Sequence, residues 1–191
     1  MSEATDHQDW LDLRAGRPAA LERIIDAHWH SLVSYVHRIV GDRDVAEDVV
    51  QDILGRLWQR RTRWKTQGSV QALLFRMARN AAIDVMRHGR RDEAMRRAIA
   101  TGPSSSPAQD SAGTEELDRL LRAAVSRLPI ARREVFLLVR MTSLSHAEIA
   151  DLLGIAPQTV ANHMRLALAD LRNVVAEYQD GPTGERLTLE G

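Results

Sequence analysis

Residues 145–164 constrain the fold more than any other stretch, because they encode a helix, a tight turn and a second helix. Ser145 and Glu148 have the S-x-x-E spacing of a capping box, which satisfies free amides at a helix start. Gly154 can supply the left-handed residue that ends a helix. Pro157 stands where proline is favoured, at the first position of a helix. This order predicts a helix-turn-helix, whose second helix lies in the DNA major groove; a plain helical hairpin is the alternative.

The second helix of this motif has two unlike faces at about 100° per residue. The apolar face is predicted to enter the core and consists of Val160, Met164, Ala167, Leu168, Leu171 and Val175. Gln, Asn and Arg on the other face can make paired hydrogen bonds to base edges, although any soluble helix exposes polar residues. The predicted DNA-reading surface is therefore Gln158, Thr159, Asn162, His163 and Arg165.

Composition favours an all-α protein, because aromatic residues are few and the periodic segments are helical throughout. The absence of cysteine excludes disulfides and thiolate metal sites. We find no signal peptide and no apolar run long enough to span a bilayer, so we expect a soluble, cytoplasmic protein.

The net charge is zero, but the charges are unevenly distributed. Residues 1–55 contain eleven acidic and five basic residues, and residues 98–191 contain twelve acidic and nine basic ones. Residues 56–97 contain twelve basic and only three acidic residues. A local basic block of this kind is the expected electrostatic footprint of a surface that binds phosphate, and a solvated helix face is the alternative.

A small, polar, proline-rich stretch over residues 101–113 separates two segments that can each form a helical core. We predict two small helical domains over 1–97 and 115–178, a flexible linker over 98–114 and a disordered tail over 179–191. The predicted helices run from Pro18 to Val40, from about Asp44 to Arg60, from near Ser69 onward, from Leu117 to Arg127 and from Ile130 to Met141, followed by the helix-turn-helix.

Three segments, in this order, resemble the extracytoplasmic-function (ECF) group of bacterial sigma factors. Asp42 to Ile53 resembles their polymerase-binding signature, Phe75 to Arg87 their −10 promoter element helix, and Leu128 to Arg172 their −35-binding domain. The resemblance implies that the two domains are sigma domains 2 and 4. It implies binding to the β′ clamp and β flap of core RNA polymerase, recognition and opening of promoter DNA, and control by an anti-sigma factor, often membrane-bound.

The second predicted helix has a short acidic face that suits a basic protein partner. By resemblance these residues contact the coiled coil of the β′ clamp: Glu47, Asp48, Gln51 and Asp52. Stabilisation of the helix dipole, worth roughly 0.3–1 kcal/mol, is the alternative. It explains Glu47 better than Asp52, which lies two turns into the helix.

The third predicted helix and the loop before it carry the implied −10 surface. The resemblance implies a pocket for an extruded base, which must offset an unstacking cost of a few kcal/mol. The candidate residues are Lys65, Gln67, Arg76, Arg79, Asn80, Asp84, Arg87 and Arg91. A merely solvated helix face is the alternative. Trp64 and Phe75 are further candidates for stacking on bases, whereas Trp58 fits the core better.

The chain departs from the family at two positions of the helix-turn-helix. Ala161 stands where many members have Lys or Arg. Ala156 stands where Ser or Thr would cap the recognition helix, and losing that cap would cost about 0.5–2 kcal/mol.

No nucleophile–base pair, phosphate loop or metal cluster is evident, and His28 and His30 flank a core residue, Trp29. We therefore expect no enzymatic activity, small-molecule substrate, cofactor or metal. Two other functions stay open. One is a helix-turn-helix regulator with a helical sensor domain, which would need a dimer interface. The other is a sigma mimic that only sequesters an anti-sigma factor.

Overall fold

The computed structural model describes residues 3–64, 69–97 and 122–179, and these ranges are helical without any β-strand. The predicted all-α class is therefore confirmed. The helices are α1 (Glu3–Arg14), α2 (Pro18–Val40), α3 (Arg43–Gln59), α4 (Val70–Arg97), a short α5 described over 122–127, α6 (Ile130–Met141), α7 (His146–Leu153) and α8 (Pro157–Gln179). The predicted linker over 98–114 and residues 180–191 of the predicted tail lie outside the described residues.

Local signals fix the ends of the N-terminal helices. Helix α2 has Pro18 in its first turn and ends at Gly41, whose φ is 84° and whose N–H donates to the His37 carbonyl at 2.8 Å. Asp42 then caps α3, because its carboxylate accepts from the Val45 N–H at 3.1 Å. The predicted bounds of α2 are confirmed, and α3 begins one residue earlier than the predicted position.

Helix α1 was not predicted, because its apolar pattern consists of little more than Trp10 and Leu13. Both side chains are buried. The helix is also held by Asp9, which accepts from Nε and Nη2 of Arg23 at 3.0 and 2.8 Å. An ion pair between residues fourteen positions apart leaves no periodic signal in the sequence, so this contact could not be read from it.

The N-terminal core lies between α2, α3 and α4. Phe75 of α4 is fully buried and packs edge-on against Tyr35 of α2, with ring centroids 5.3 Å apart. Trp64 is half-buried and its Nε1 donates to the Leu57 carbonyl at 3.2 Å. Stacking of Phe75 on DNA bases was therefore a wrong interpretation, because its ring is buried in the core. Trp64 packs against the core but is only partly buried, so its stacking on bases stays a prediction. Trp58 is half-buried against the core, as expected.

The C-terminal core lies between α6, α7 and α8 and contains Leu138, Ile149 and Val160. One predicted core position is wrong, because Leu168 remains 36% exposed. It lies at the edge of the α8 apolar stripe, about 70° around the helix from its centre. The two helical groups also touch, since α6 packs on α2 and α7 on α4.

Candidate nucleic-acid interface

The turn of the helix-turn-helix is fixed at both ends. The Ser145 N–H donates to the Glu148 carboxylate at 2.8 Å, and the Glu148 N–H donates to the Ser145 hydroxyl at 3.3 Å. At the other end, Gly154 has a φ of 70°, and the next N–H, that of Ile155, donates to the Ala150 carbonyl at 3.0 Å. The predicted capping box and glycine cap are confirmed, and α8 begins at Pro157 as predicted.

Helix α8 presents the predicted polar face to solvent. Gln158, Asn162 and Arg165 are exposed on the side opposite Val160, whereas Thr159 and His163 are half-buried at its edges. Nη2 of Arg165 donates to Oδ1 of Asn162 at 3.0 Å, so the guanidinium holds the neighbouring carboxamide in one orientation. The face therefore offers side chains that can pair with base edges.

The first turn of α8 has a backbone cap only. Ala156 brings its carbonyl to the Thr159 and Val160 N–H groups at 2.9 and 3.2 Å but has no side chain that could accept a bond. The first turn of α8 therefore has no side-chain cap, as expected from the sequence.

The acidic face of α3 is exposed at Asp48, Gln51 and Asp52. Glu47 differs, because it is half-buried and accepts from Nε of Arg43 at 2.9 Å. Asp52 lies beyond the first turn, where the influence of the helix dipole fades, and its carboxylate is 3.6 Å from Nη2 of Arg56. Dipole stabilisation therefore cannot account for Asp52.

The polar stripe of α4 is exposed at Arg76, Asn80, Asp84 and Arg87. Asp84 and Arg87 form a loose ion pair of 3.9 Å, with both side chains largely in solvent. Lys65, Gln67 and the side chain of Arg91 lie outside the described residues. The stripe combines cations suited to phosphate with amide and carboxylate groups suited to bases.

A groove of about 460 Å³ separates the acidic face of α3 from the polar stripe of α4. Asp52 borders it on α3 and Asp84 on α4, with Val49, Ile53 and Val85 among its apolar lining. The two predicted surfaces therefore adjoin each other on neighbouring helices.

Arg79 is also a predicted −10 residue, but it is less exposed than the four residues of the polar stripe of α4. It is half-buried, its Nε donates to Oε1 of Glu134 in α6, and its Nη2 donates to Oε2 at 3.3 Å. This hydrogen bonding is the main cause that raises the pKa of Arg79, although partial burial opposes it. This pair could not be predicted from the sequence, because its members are 55 residues apart.

Burial is the main cause that raises the pKa of the Tyr35 phenol above its ordinary value. The nearby Glu134 carboxylate adds to the increase and Arg79 opposes it. In the described part of the chain, no three His, Asp or Glu side chains are arranged to hold a metal ion. None of the helices in these ranges combines the length and apolarity needed to cross a bilayer.

The chain is similar in sequence to known proteins over both of its helical groups. Residues 24–92 match the family model described as Sigma-70 region 2, and residues 118–171 match that described as Sigma-70 region 4. The chain is 34% identical over 168 residues to the ECF RNA polymerase sigma factor SigL of Mycobacterium tuberculosis, covering 85% of this chain and 93% of SigL.

Two solved structures share the fold. One is CnrH in complex with the cytosolic domain of CnrY, with a TM-score of 0.70 and 21% identity over 93% of this chain and 99% of that one. The other is the sigma factor RpoE in complex with the anti-sigma factor NepR from Bartonella quintana, with a TM-score of 0.66 and 22% identity over 81% and 96% of the two chains.

Proposed function

Because the chain belongs to the ECF family of RNA polymerase sigma factors, we propose which of its surfaces carry out the steps of transcription initiation. The observation that carries the proposal is the groove between α3 and α4. Asp52 of the acidic, exposed α3 face borders the groove on one side, and Asp84 of the α4 stripe, which also carries exposed Arg76, Asn80 and Arg87, borders it on the other. A polymerase subunit that positions DNA needs both surfaces side by side.

We propose that residues 1–97 form sigma domain 2 and residues 115–178 sigma domain 4, joined by 98–114 and followed by a tail over 179–191. The two matched regions support this division, because they fall on either side of residues 98–114. We also propose that the protein is a transcription initiation factor rather than an enzyme and that it acts in the cytoplasm, where polymerase and promoter DNA meet; its family membership supports both proposals.

Core RNA polymerase is the proposed partner of Asp48, Gln51 and Asp52, with Glu47 at the margin of the surface. The three exposed side chains support this role, since carboxylates on one helix face can pair with cations across an interface. Glu47 contributes less in this proposal, because its carboxylate is already hydrogen-bonded to Arg43. The β flap is the proposed contact of sigma domain 4.

The −10 element is the proposed ligand of the α4 stripe. Asn80 and Asp84 read bases, and Arg76 and Arg87 hold the backbone, because amide and carboxylate groups discriminate base edges while guanidinium groups neutralise phosphate. Lys65, Gln67 and Arg91 belong to the same proposed surface by their positions in the sequence. Arg79 can join them only after Glu134 releases its guanidinium.

The −35 element is the proposed ligand of α8. Gln158, Asn162 and Arg165 read base edges, since all three are exposed on the side opposite the core. Thr159 and His163 support them from the edges of that face, where they are half-buried.

An anti-sigma factor, often membrane-bound in this family, is the proposed regulator. Support comes from RpoE of Bartonella quintana, which is similar in fold and whose structure contains the anti-sigma factor NepR.

The polymerase surface can be tested by co-purification with core enzyme. Asp52→Arg should weaken binding by about tenfold or more, because it places a cation where the partner is expected to be basic. Glu22→Arg, an equally drastic charge reversal at an exposed position on α2, is the matched control and should bind like wild type. Equal recovery of core enzyme with both variants would contradict the assignment.

The alternative of an ordinary regulator is tested by selecting genomic DNA with and without core enzyme. We expect two sequence blocks at constant spacing, recovered only in the presence of polymerase. An inverted repeat bound by the chain alone would instead identify a dimeric helix-turn-helix regulator.

A further inference from the structure

His88 is an exposed residue of α4 that lies outside both proposed surfaces of α3 and α4. It follows Asp84 by one helical turn, so it lies about 6 Å further along α4 and about 40° around it. Its side chain lines the groove between α3 and α4. His88 therefore stands at the edge of the polar stripe, on the side that faces α3.

One nitrogen of the His88 ring is fixed by a hydrogen bond. Its Nδ1 is 2.7 Å from the backbone carbonyl oxygen of Asp84. A carbonyl oxygen can only accept, so Nδ1 carries a proton and donates. In a regular α-helix the same carbonyl already accepts from the backbone N–H one turn later, so the helix does not require this second bond. The effect of the bond is to hold the imidazole ring in one orientation.

The position of this proton determines what the other ring nitrogen can bind. In a neutral imidazole that is protonated on Nδ1, Nε2 has a lone pair and can only accept. A phosphate oxygen also only accepts, so neutral His88 cannot bind the DNA backbone through Nε2. In the major groove, adenine and cytosine present amine donors, whereas guanine and thymine present none. Neutral His88 is therefore suited to contact adenine or cytosine.

The place of His88 along α4 indicates which base pair it can reach. The C-terminal end of α4 leads along the chain to the helices that carry the proposed −35 surface, and the −35 element lies upstream of the −10 element. The end of α4 that carries His88 therefore points upstream from Asp84. The rise of about 6 Å between the two residues corresponds to about two base-pair steps of duplex.

We propose that His88 is a further base-reading residue, whose Nε2 accepts a hydrogen bond from the amine of an adenine or cytosine in duplex DNA, about two base pairs upstream of the base that Asp84 contacts. The proposal rests on the proposed function, since it needs α4 to lie against promoter DNA.

The charged side chains around the His88 ring already have partners. In the described part of the chain they are Asp84 and Arg87 on α4, and Asp52 and Arg56 across the groove on α3. The two carboxylates lie 3.9 and 3.6 Å from the arginine of their own helix. Neither carboxylate therefore relies on the imidazole as its counterion, which leaves Nε2 for a ligand.

Protonation reverses the hydrogen-bonding role of Nε2. A protonated imidazole has an N–H on both nitrogens, so Nε2 becomes a donor and can bind the acceptors of guanine or thymine, or a phosphate. The bond from Nδ1 to the Asp84 carbonyl is the same in both states. An ordinary imidazole is neutral at about pH 8 and largely protonated at about pH 6. The base preference at the contacted position should therefore depend on pH.

Selection of duplex DNA by holoenzyme tests the proposal. A promoter fragment recovered from genomic DNA is randomised immediately upstream of its −10 element, and bound sequences are compared at about pH 8 and about pH 6. At the higher pH we expect the wild-type chain to enrich adenine or cytosine by about threefold to tenfold at one position. At the lower pH this enrichment should be lost.

His88→Asn is the variant that isolates Nε2. Its side-chain amide can still donate to the Asp84 carbonyl, but it has no group in the place of Nε2. The enrichment should therefore be absent at both pH values. His146→Asn makes the same replacement at an exposed position of α7. It is the matched control and should select the same sequences as the wild-type chain.

The outcomes separate the role of His88 from the proposed function. If holoenzyme selects a −10 sequence but shows no preference at the upstream position, the role of His88 is overturned alone. Enrichment that survives His88→Asn, or that is equal at both pH values in the wild-type chain, would overturn it as well. If the wild-type holoenzyme selects no −10 sequence, the proposed function fails and the role of His88 fails with it.

Discussion

Ser145 and Glu148 satisfy each other's backbone N–H groups, with bonds of 2.8 Å to the Glu148 carboxylate and 3.3 Å to the Ser145 hydroxyl. This reciprocal pair fixes the first residue of α7, a helix of only eight residues. Because α7 is so short, its start and its glycine cap together determine where α8 emerges from the turn. The orientation of the proposed −35-reading helix therefore depends on local hydrogen bonds as well as on the core.

Replacing Ser145 by Ala should lower the free energy of unfolding by about 0.5–2 kcal/mol, since the Glu148 N–H loses its acceptor. Chemical denaturation of the full chain measures the change. Ser31→Ala is the control, because the Ser31 hydroxyl lies inside α2 and donates to the His28 carbonyl at 3.0 Å. It should shift the free energy by no more than about 0.5 kcal/mol. Equal losses in the two variants would argue against a special role for the cap.

Two glycine substitutions should change stability in opposite directions. Gly154→Ala places a side chain at a φ of 70° and should destabilise the chain by about 1 kcal/mol or more, although a Cβ there meets no neighbouring atom. Gly55→Ala lies within α3, where a Cβ also has open space, and should stabilise it by about 0.4–1 kcal/mol. Thermal denaturation of both variants provides the comparison, and a stabilising Gly154→Ala would contradict the left-handed cap.

Much of the fold follows from such local signals. Proline at helix starts, glycine at helix ends and the S-x-x-E spacing predicted the bounds of α2, α7 and the start of α8, because each signal acts within a few residues. Helix α1 escaped prediction, since its two buried apolar residues are too few to show a period. Contacts between residues that are distant in the sequence were not predicted either. Nothing near Arg79 in the sequence indicates that Glu134 will bind it.

The candidate site was predictable where exposure follows from helical periodicity. Gln158, Asn162 and Arg165 lie on the polar face of α8, and Arg76, Asn80 and Asp84 on that of α4, as the spacing indicates. The burial of Phe75 was not predictable in this way. An aromatic residue beside a stripe suited to DNA suggests base stacking, and only the packing of Phe75 against Tyr35 shows that it belongs to the core.

Asn162→Ala should relax the sequence preference at one or two positions of the −35 element, with a loss of affinity near tenfold, because each paired base contact is worth about 1–3 kcal/mol. His163→Ala should have a smaller effect, since His163 is half-buried at the edge of the face. Selection of bound sequences from a randomised −35 segment by holoenzyme measures both. A larger change for His163→Ala would mean that α8 is rotated differently in the groove.

Asn80→Ala and Arg87→Ala should separate base reading from phosphate binding on α4. The first should alter the preference for the −10 sequence. The second should weaken all promoters alike and reduce the salt dependence of binding by about one unit of slope, since one phosphate contact is lost. Permanganate footprints on several promoters report opening, and normal opening on all of them with Asn80→Ala would contradict a role for Asn80.

The most direct test of the account is run-off transcription with purified core RNA polymerase and genomic DNA fragments. We expect the wild-type chain to produce transcripts with discrete 5′ ends that neither component produces alone, and Asp52→Arg to reduce them while Glu22→Arg does not. A chain that binds DNA but yields no discrete transcript with core enzyme would contradict the proposal that its α3 and α4 surfaces act together in promoter opening.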